Sequence, residues 1–197
     1  MNYNMLLDPL PDNYEGYLIH TPFYYGILIS QCLSDAGSFL DGEIGAYEQI
    51  GEALRLLYGN GVPPFEQAMD GLKWFLSGGR EKEDSSTNEK ADEYFSFDED
   101  DARVFSAFFS KHNIDLSKSD MHWFQFLALL QEMQGTTLSN VIEWRSLDEK
   151  ELKNYSPEMR RKLREQQKKF AIKRTLDKHY TPEEQEKIRK FNEALGE

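Results

Sequence analysis

Between Tyr94 and Met133 the chain reads YFSFDEDDARVFSAFFSKHNIDLSKSDMHWFQFLALLQEM. Two apolar stripes of helical period lie on either side of Ile114-Asp115-Leu116. In the first, Val104, Phe105, Phe108 and Phe109 recur at three- and four-residue steps and share one helix face. In the second, Phe124, Leu127 and Leu130 do the same, and Trp123, Phe126 and Met133 widen the face. A helix with a wide aromatic face must bury it against another element, so this block commits the chain to helix-on-helix packing. The spacing predicts one helix from Phe97 or Asp98 and another from Ser119 or Asp120 to about Met133, with Gly135 as its stop.

The remaining helices are marked by their ends. Thr21-Pro22 reads as an N-cap followed by a proline in the first turn, opening a helix to about Ser34 that buries Tyr25, Leu28, Ile29, Cys32 and Leu33. Asp41 caps a second helix to about Tyr58, with Ile44, Tyr47, Ile50, Leu54 and Leu57 on one face. Pro63-Pro64 opens a third, with Phe65, Ala68, Met69, Leu72, Phe75 and Leu76 inward, and Gly78-Gly79 ends it. Leu138–Trp144 is a short sixth helix. A charged helix over about Pro157–Lys178 follows Ser156, and Thr181-Pro182-Glu183-Glu184 is a capping box for a last short helix to about Leu195. Ahead of all these, Pro9, Pro11 and Gly16 break up two short runs, Met5–Leu7 and Tyr17–Ile19, which read as a small β-hairpin. Residues 80–93 are charged and lack large apolar groups, so burial cannot offset their ordering entropy. The expected fold is all-α with a small N-terminal β-hairpin, its two helical halves joined by a mobile acidic linker. The expected divisions are 1–79, the linker 80–93, an aromatic-rich region 94–155 and a basic helical extension 156–197.

Charge narrows the function. The net charge is −12. Through Lys150 there are 26 acids against 10 bases, a net of −16, and from Glu151 onward 9 acids against 13 bases, a net of +4. Nucleic-acid binding needs a cationic footprint over the phosphates, which the body lacks. The basic stretch Arg160–Arg174 reads as a solvated helix surface first, a contact for an acidic protein surface second, and a nucleic-acid or anionic-membrane contact last, since it has no interleaved aromatics for stacking on bases. No apolar run approaches the about 20 residues needed to span a bilayer, and the N-terminus has no basic start of a signal peptide, the first base being Arg55. Cys32 is the only cysteine, which excludes an intramolecular disulfide and a cysteine-rich metal site. Its apolar neighbours Ile29 and Leu33 point to a core thiol.

No catalytic constellation emerges. Asp98–Asp101 are consecutive helical residues pointing about 100° apart, so they cannot converge on one metal ion; they read as acids complementing a helix N-terminus. His112 and His122 lack a zinc-protease spacing, and His122 reads as an interhelical hydrogen-bonding group. There is no phosphate-binding glycine loop and no nucleophile elbow. Arg145 and Asp148 are spaced for a local ion pair closing a turn, with Arg145 otherwise a polar contact for a partner. The expectation is a non-enzymatic protein without metal or cofactor.

An ordered series of short motifs adds a family. Leu7-Asp8-Pro9-Leu10-Pro11-Asp12, Thr21-Pro22-Phe23, Trp74-Phe75, Phe97-Asp98-x-x-x-Ala102, Ala107-Phe108, Ile114-Asp115-Leu116, Met121-His122-Trp123-x-x-Phe126 and Ile142-x-x-Arg145-Ser146-Leu147-Asp148 succeed one another. Over residues 4–172 this resembles the "gene product fifteen" family of long-tailed bacteriophages. Leu7–Asp12 departs slightly from the family's spacing, and the chain after about Arg174 lies outside the pattern. The family looks like tail-morphogenesis proteins encoded just before the tape-measure protein, a place usually held by tail assembly chaperones. The resemblance thus implies a chaperone in the host bacterial cytoplasm. It would bind the tape-measure protein, with tail tube protein as a further partner and a homo-oligomer compatible with the role. The alternative is a structural head–tail connector or tail completion protein of the virion. Such a chaperone needs grooves lined by aromatics for amphipathic helices. The candidate contact residues are Trp74, Phe75, Phe105, Phe109, Trp123, Phe126 and Arg145.

Overall fold

The computed structural model describes residues 3–38, 43–80 and 94–172. It is mainly helical with a small N-terminal hairpin. The helices are α1 (Phe23–Ser38), α2 (Glu43–Tyr58), α3 (Phe65–Leu76), α4 (Phe97–His112), α5 (Trp123–Gln131), α6 (Thr137–Ser146), α7 (Glu149–Leu152) and α8 (Pro157–Phe170). A single 3-10 turn, Leu116–Lys118, joins α4 to α5.

The hairpin pairs β1 (Asn13–Tyr14) with β2 (Tyr17–Leu18). Its loop is Glu15-Gly16, with φ +50° and +88°. Two successive left-handed residues match the twist of paired strands, which is why so short a loop suffices. Met5–Leu7, expected as the first strand, is a turn instead. The Asn4 side chain accepts the Leu6 amide at 3.0 Å and Asp8 accepts the Asn4 amide at 2.8 Å. Local side-chain bonds of this kind compete with a strand ladder.

Two helix bounds also differ from expectation. The fifth helix was expected from Ser119 or Asp120, yet residues up to His122 stay extended. Met121–Trp123 pairs antiparallel with Thr21–Phe23: the Phe23 N–H donates to Met121 O at 2.8 Å, and the Trp123 N–H to Thr21 O at 2.7 Å. The basic helix was expected to reach about Lys178. It ends at Phe170, where Ala171 turns to φ −54°, ψ 135° and the Phe170 carbonyl accepts Arg145 Nε at 2.6 Å. The linker segment 81–93 and the helix expected after Thr181 lie outside the described residues.

One core draws on both sides of the 80–93 segment. Ile29, Leu54, Leu57, Leu72 and Phe75 meet Val104, Phe108, Trp123 and Phe126 in a single cluster. Phe126 sits in a ring stack with Phe23 (5.0 Å), Phe108 (4.8 Å) and Trp123 (5.5 Å). The Trp123 indole N–H donates to Phe75 O at 3.0 Å, so its polar atom is satisfied inside the core. α1 accommodates the indole through Gly26. A Cβ there would lie 2.2 Å from the Trp123 ring, so the absence of a side chain sets how closely α1 meets α5.

Candidate functional site

The acids opening α4 divide into two kinds. Asp98 and Asp101 are exposed, as expected of acids complementing a helix N-terminus. Asp100 departs from that expectation, because it is completely buried. Its carboxylate takes Arg145 Nη1 at 2.6 Å and Nη2 at 3.1 Å, together with Arg103 Nη1 at 2.7 Å. It also reaches back to the Ser96 amide at 3.2 Å. Three elements supply this node: α4 brings Asp100 and Arg103, α6 brings Arg145, and the end of α8 brings Phe170.

Arg145 is therefore an internal group. Its side chain is 5% exposed. Besides Asp100 and Phe170 O, it donates to Tyr94 O at 2.9 Å. The guanidinium turns into the core, and Asp148 serves as N-cap of α7 by accepting the Lys150 and Glu151 amides. That arrangement replaces the local Arg145–Asp148 pair expected from spacing. The geometry is bidentate on Asp100 and uses every face of the fork, which lysine could not reproduce. Phe170 closes the node from above. Its ring lies 5.1 Å from the Arg103 guanidinium carbon and 5.5 Å from the Trp144 ring. α8 buries no residue completely; besides Phe170, Gln167 donates to Leu147 O and Arg164 to Glu149, both at 2.8 Å, to hold it.

The other predicted contact residues separate by burial. Phe75, Trp123 and Phe126 are core residues, each at most 2% exposed. Trp74 is half-buried between Tyr14 (5.1 Å) and Phe124 (5.2 Å). Phe105 and Phe109 remain on the surface, 41% and 54% exposed. They sit four residues apart on the outer side of α4, while Phe108 fills the core. α1 packs against α4 and shows a matching pair, Tyr24 and Leu28, also four apart and exposed. The ring sequence Tyr24–Phe23–Phe126–Phe108 links the two helices beneath this surface.

His122 is a second polar group that spacing only partly revealed. Its Nδ1 accepts the Phe124 amide at 3.0 Å, making the imidazole the N-cap of α5. Its Nε2 lies 2.9 Å from Pro11 O. An amide must donate and a carbonyl must accept, so the ring is neutral with its proton on Nε2. Burial holds its pKa below the ordinary 6.5, with the Pro11 contact opposing. An unfolded chain therefore binds this proton more readily than the native one. The stabilisation is complete above about pH 6.5 and is lost as pH falls below that value. Urea unfolding between pH 7 and 5 should show a falling midpoint. His122→Asn, which can cap but does not titrate there, should flatten the fall; an unchanged slope would place the proton uptake elsewhere.

Among the described residues, no group of three or more His, Cys, Asp or Glu is placed to hold a metal ion. No described helix is long and apolar enough to cross a membrane. The Asp100 node brings the segment Phe97–Ala102 into contact with the segment Ile142–Arg145, its paired residues Asp100 and Arg145 being 45 residues apart in the chain. The bacteriophage Gp15 protein family matches the chain over residues 6–172. The chain belongs to that family. No curated protein and no solved structure matches it. Membership makes this a phage protein of the virion or its morphogenesis, and the matched span closes just after Phe170, the residue that completes the Asp100 node.

Proposed function

We propose that this Gp15 family member is a non-enzymatic tail assembly chaperone, which coats the tape-measure protein in the host cytoplasm while tail tube subunits are recruited. Family membership supports the setting, through the likeness of the family to morphogenesis proteins encoded ahead of the tape measure. The observation that carries the reading is the exposed pair Phe105 and Phe109. Their neighbours on the same helix, Val104, Ala107 and Phe108, already fill the core, so the outer phenylalanines contribute little to folding and suit an apolar partner. The acidic body keeps an unfinished assembly soluble.

A long, helix-rich tape-measure frame is expected downstream of the gene, and co-expression with it, followed by pulldown, tests this directly. Retention of the tape measure is expected, and purified virions should lack the protein. Failure to retain the tape measure, or ring-like copy number in virions, would replace the chaperone with a structural connector or completion protein.

A further inference from the structure

We infer that the outer face formed by α1 and α4 is a docking surface for a cationic amphipathic helix. This inference rests on the chaperone reading for its setting and on the following geometry for its content. Tyr24 and Leu28 on α1 and Phe105 and Phe109 on α4 are all exposed, each pair at four-residue spacing. Two packed helices bearing such pairs present an apolar strip of the kind that accepts anchors at i, i+3, i+4 and i+7 of a third helix.

Charge identifies the occupant. Asp98 and Asp101 are exposed one turn and more before Phe105, and Gln31 of α1 donates to Asp98, which fixes that acid beside the α1–α4 seam. Among the described residues, no cation of α1 or α4 offsets them on this face. α1 carries no Lys or Arg at all. Of the bases of α4, Arg103 turns in to Asp100 at 2.7 Å, and Lys111 reaches away to Gln134 O at 2.8 Å. A helix with apolar residues along one stripe and Lys or Arg at the end nearest Asp98 complements the face in shape and sign. An acidic helix would meet like charge.

The probe is a synthetic peptide of leucine and lysine at amphipathic helical spacing, with a leucine–glutamate peptide of the same spacing as control. Binding to the full chain is read by calorimetry, alongside sedimentation of the free protein. The leucine–lysine peptide should bind and the leucine–glutamate peptide should not. Phe105→Ala/Phe109→Ala should weaken binding by about tenfold or more, as truncating central aromatic anchors does, with thermal unfolding unchanged because both side chains are outside the core. Asp98→Asn/Asp101→Asn should weaken it less and reduce its salt sensitivity. Equal binding of the two peptides, or full binding by the double alanine variant, overturns the assignment. So does a self-associated wild type that becomes monomeric in the double alanine variant, since the occupant is then a second copy. A tape measure that is not retained while the leucine–lysine peptide binds through Phe105 and Phe109 removes the chaperone reading and leaves this surface standing. A tape measure retained by the double alanine variant does the reverse.

Discussion

Asp100→Ala is expected to destabilise the protein by about 3–5 kcal/mol, the usual cost of removing one partner from a buried ion pair. The magnitude follows from what is left behind. Arg145 stays 5% exposed, with two carbonyls to donate to but no counter-charge, and Arg103 loses the same carboxylate. At about 2–4 °C of Tm per kcal/mol for a chain of this length, the drop is on the order of 10 °C. Arg145→Met should cost less, because Arg103 still neutralises Asp100. The double variant Asp100→Leu/Arg145→Met should recover much of the loss, since a well-packed apolar pair often equals a buried ion pair. Chemical denaturation of wild type, Asp100→Leu, Arg145→Met and their double variant gives the coupling directly. A loss under about 1 kcal/mol for Asp100→Ala, the range of exposed pairs, would mean that the carboxylate is solvated in solution.

The second large effect is at the contact between α1 and α5. Alanine normally favours a helix over glycine by about 1 kcal/mol. At Gly26 the sign should reverse, with a net loss of about 1–3 kcal/mol, as for overpacked cores. The added Cβ would fall 2.2 Å from the Trp123 ring. That ring has no room to retreat, being stacked on Phe126 at 5.5 Å and bonded to Phe75 O at 3.0 Å. Trp123→Ala should cost about 3–5 kcal/mol by itself through the cavity it leaves. Combining the two should be clearly non-additive, because the smaller residue removes the clash. A Gly26→Ala protein as stable as wild type would show that α1 sits farther from α5 than described.

Much of this architecture is legible in the sequence because helices advertise themselves locally. Apolar spacing located α2, α3, α4 and α6, and Ser156 and the glycines after α3 marked ends correctly. The exposed side of α4 was less legible. Period alone places Phe105 and Phe109 on the same broad face as Phe108, and only the neighbouring helices decide which of them is covered. The polar interior was hidden for a related reason. Asp100 is one of four consecutive acids, and nothing local separates it from its solvated neighbours; its distinction comes from Arg145, 45 residues later. His122 as a cap was missed because imidazole is an uncommon N-cap and because the extended conformation it needs is imposed by Thr21–Phe23. Gly26 is unremarkable until an indole is placed against it.

The pairing of Thr21–Phe23 with Met121–Trp123 also bears on how the chain emerges from the ribosome. The groups that close the core around α1 are encoded about a hundred positions after it, so the first three helices leave the exit tunnel with Phe75 and Gly26 lacking the Trp123 ring they pack against. Contacts this distant in sequence form late, after the entropy of closing a long loop has been met. Until Trp123 is translated, the N-terminal segment is an incomplete apolar surface that is vulnerable to proteases and to self-association. Slowing translation between α3 and α5 is therefore expected to lower the yield of folded protein, read as the soluble fraction recovered.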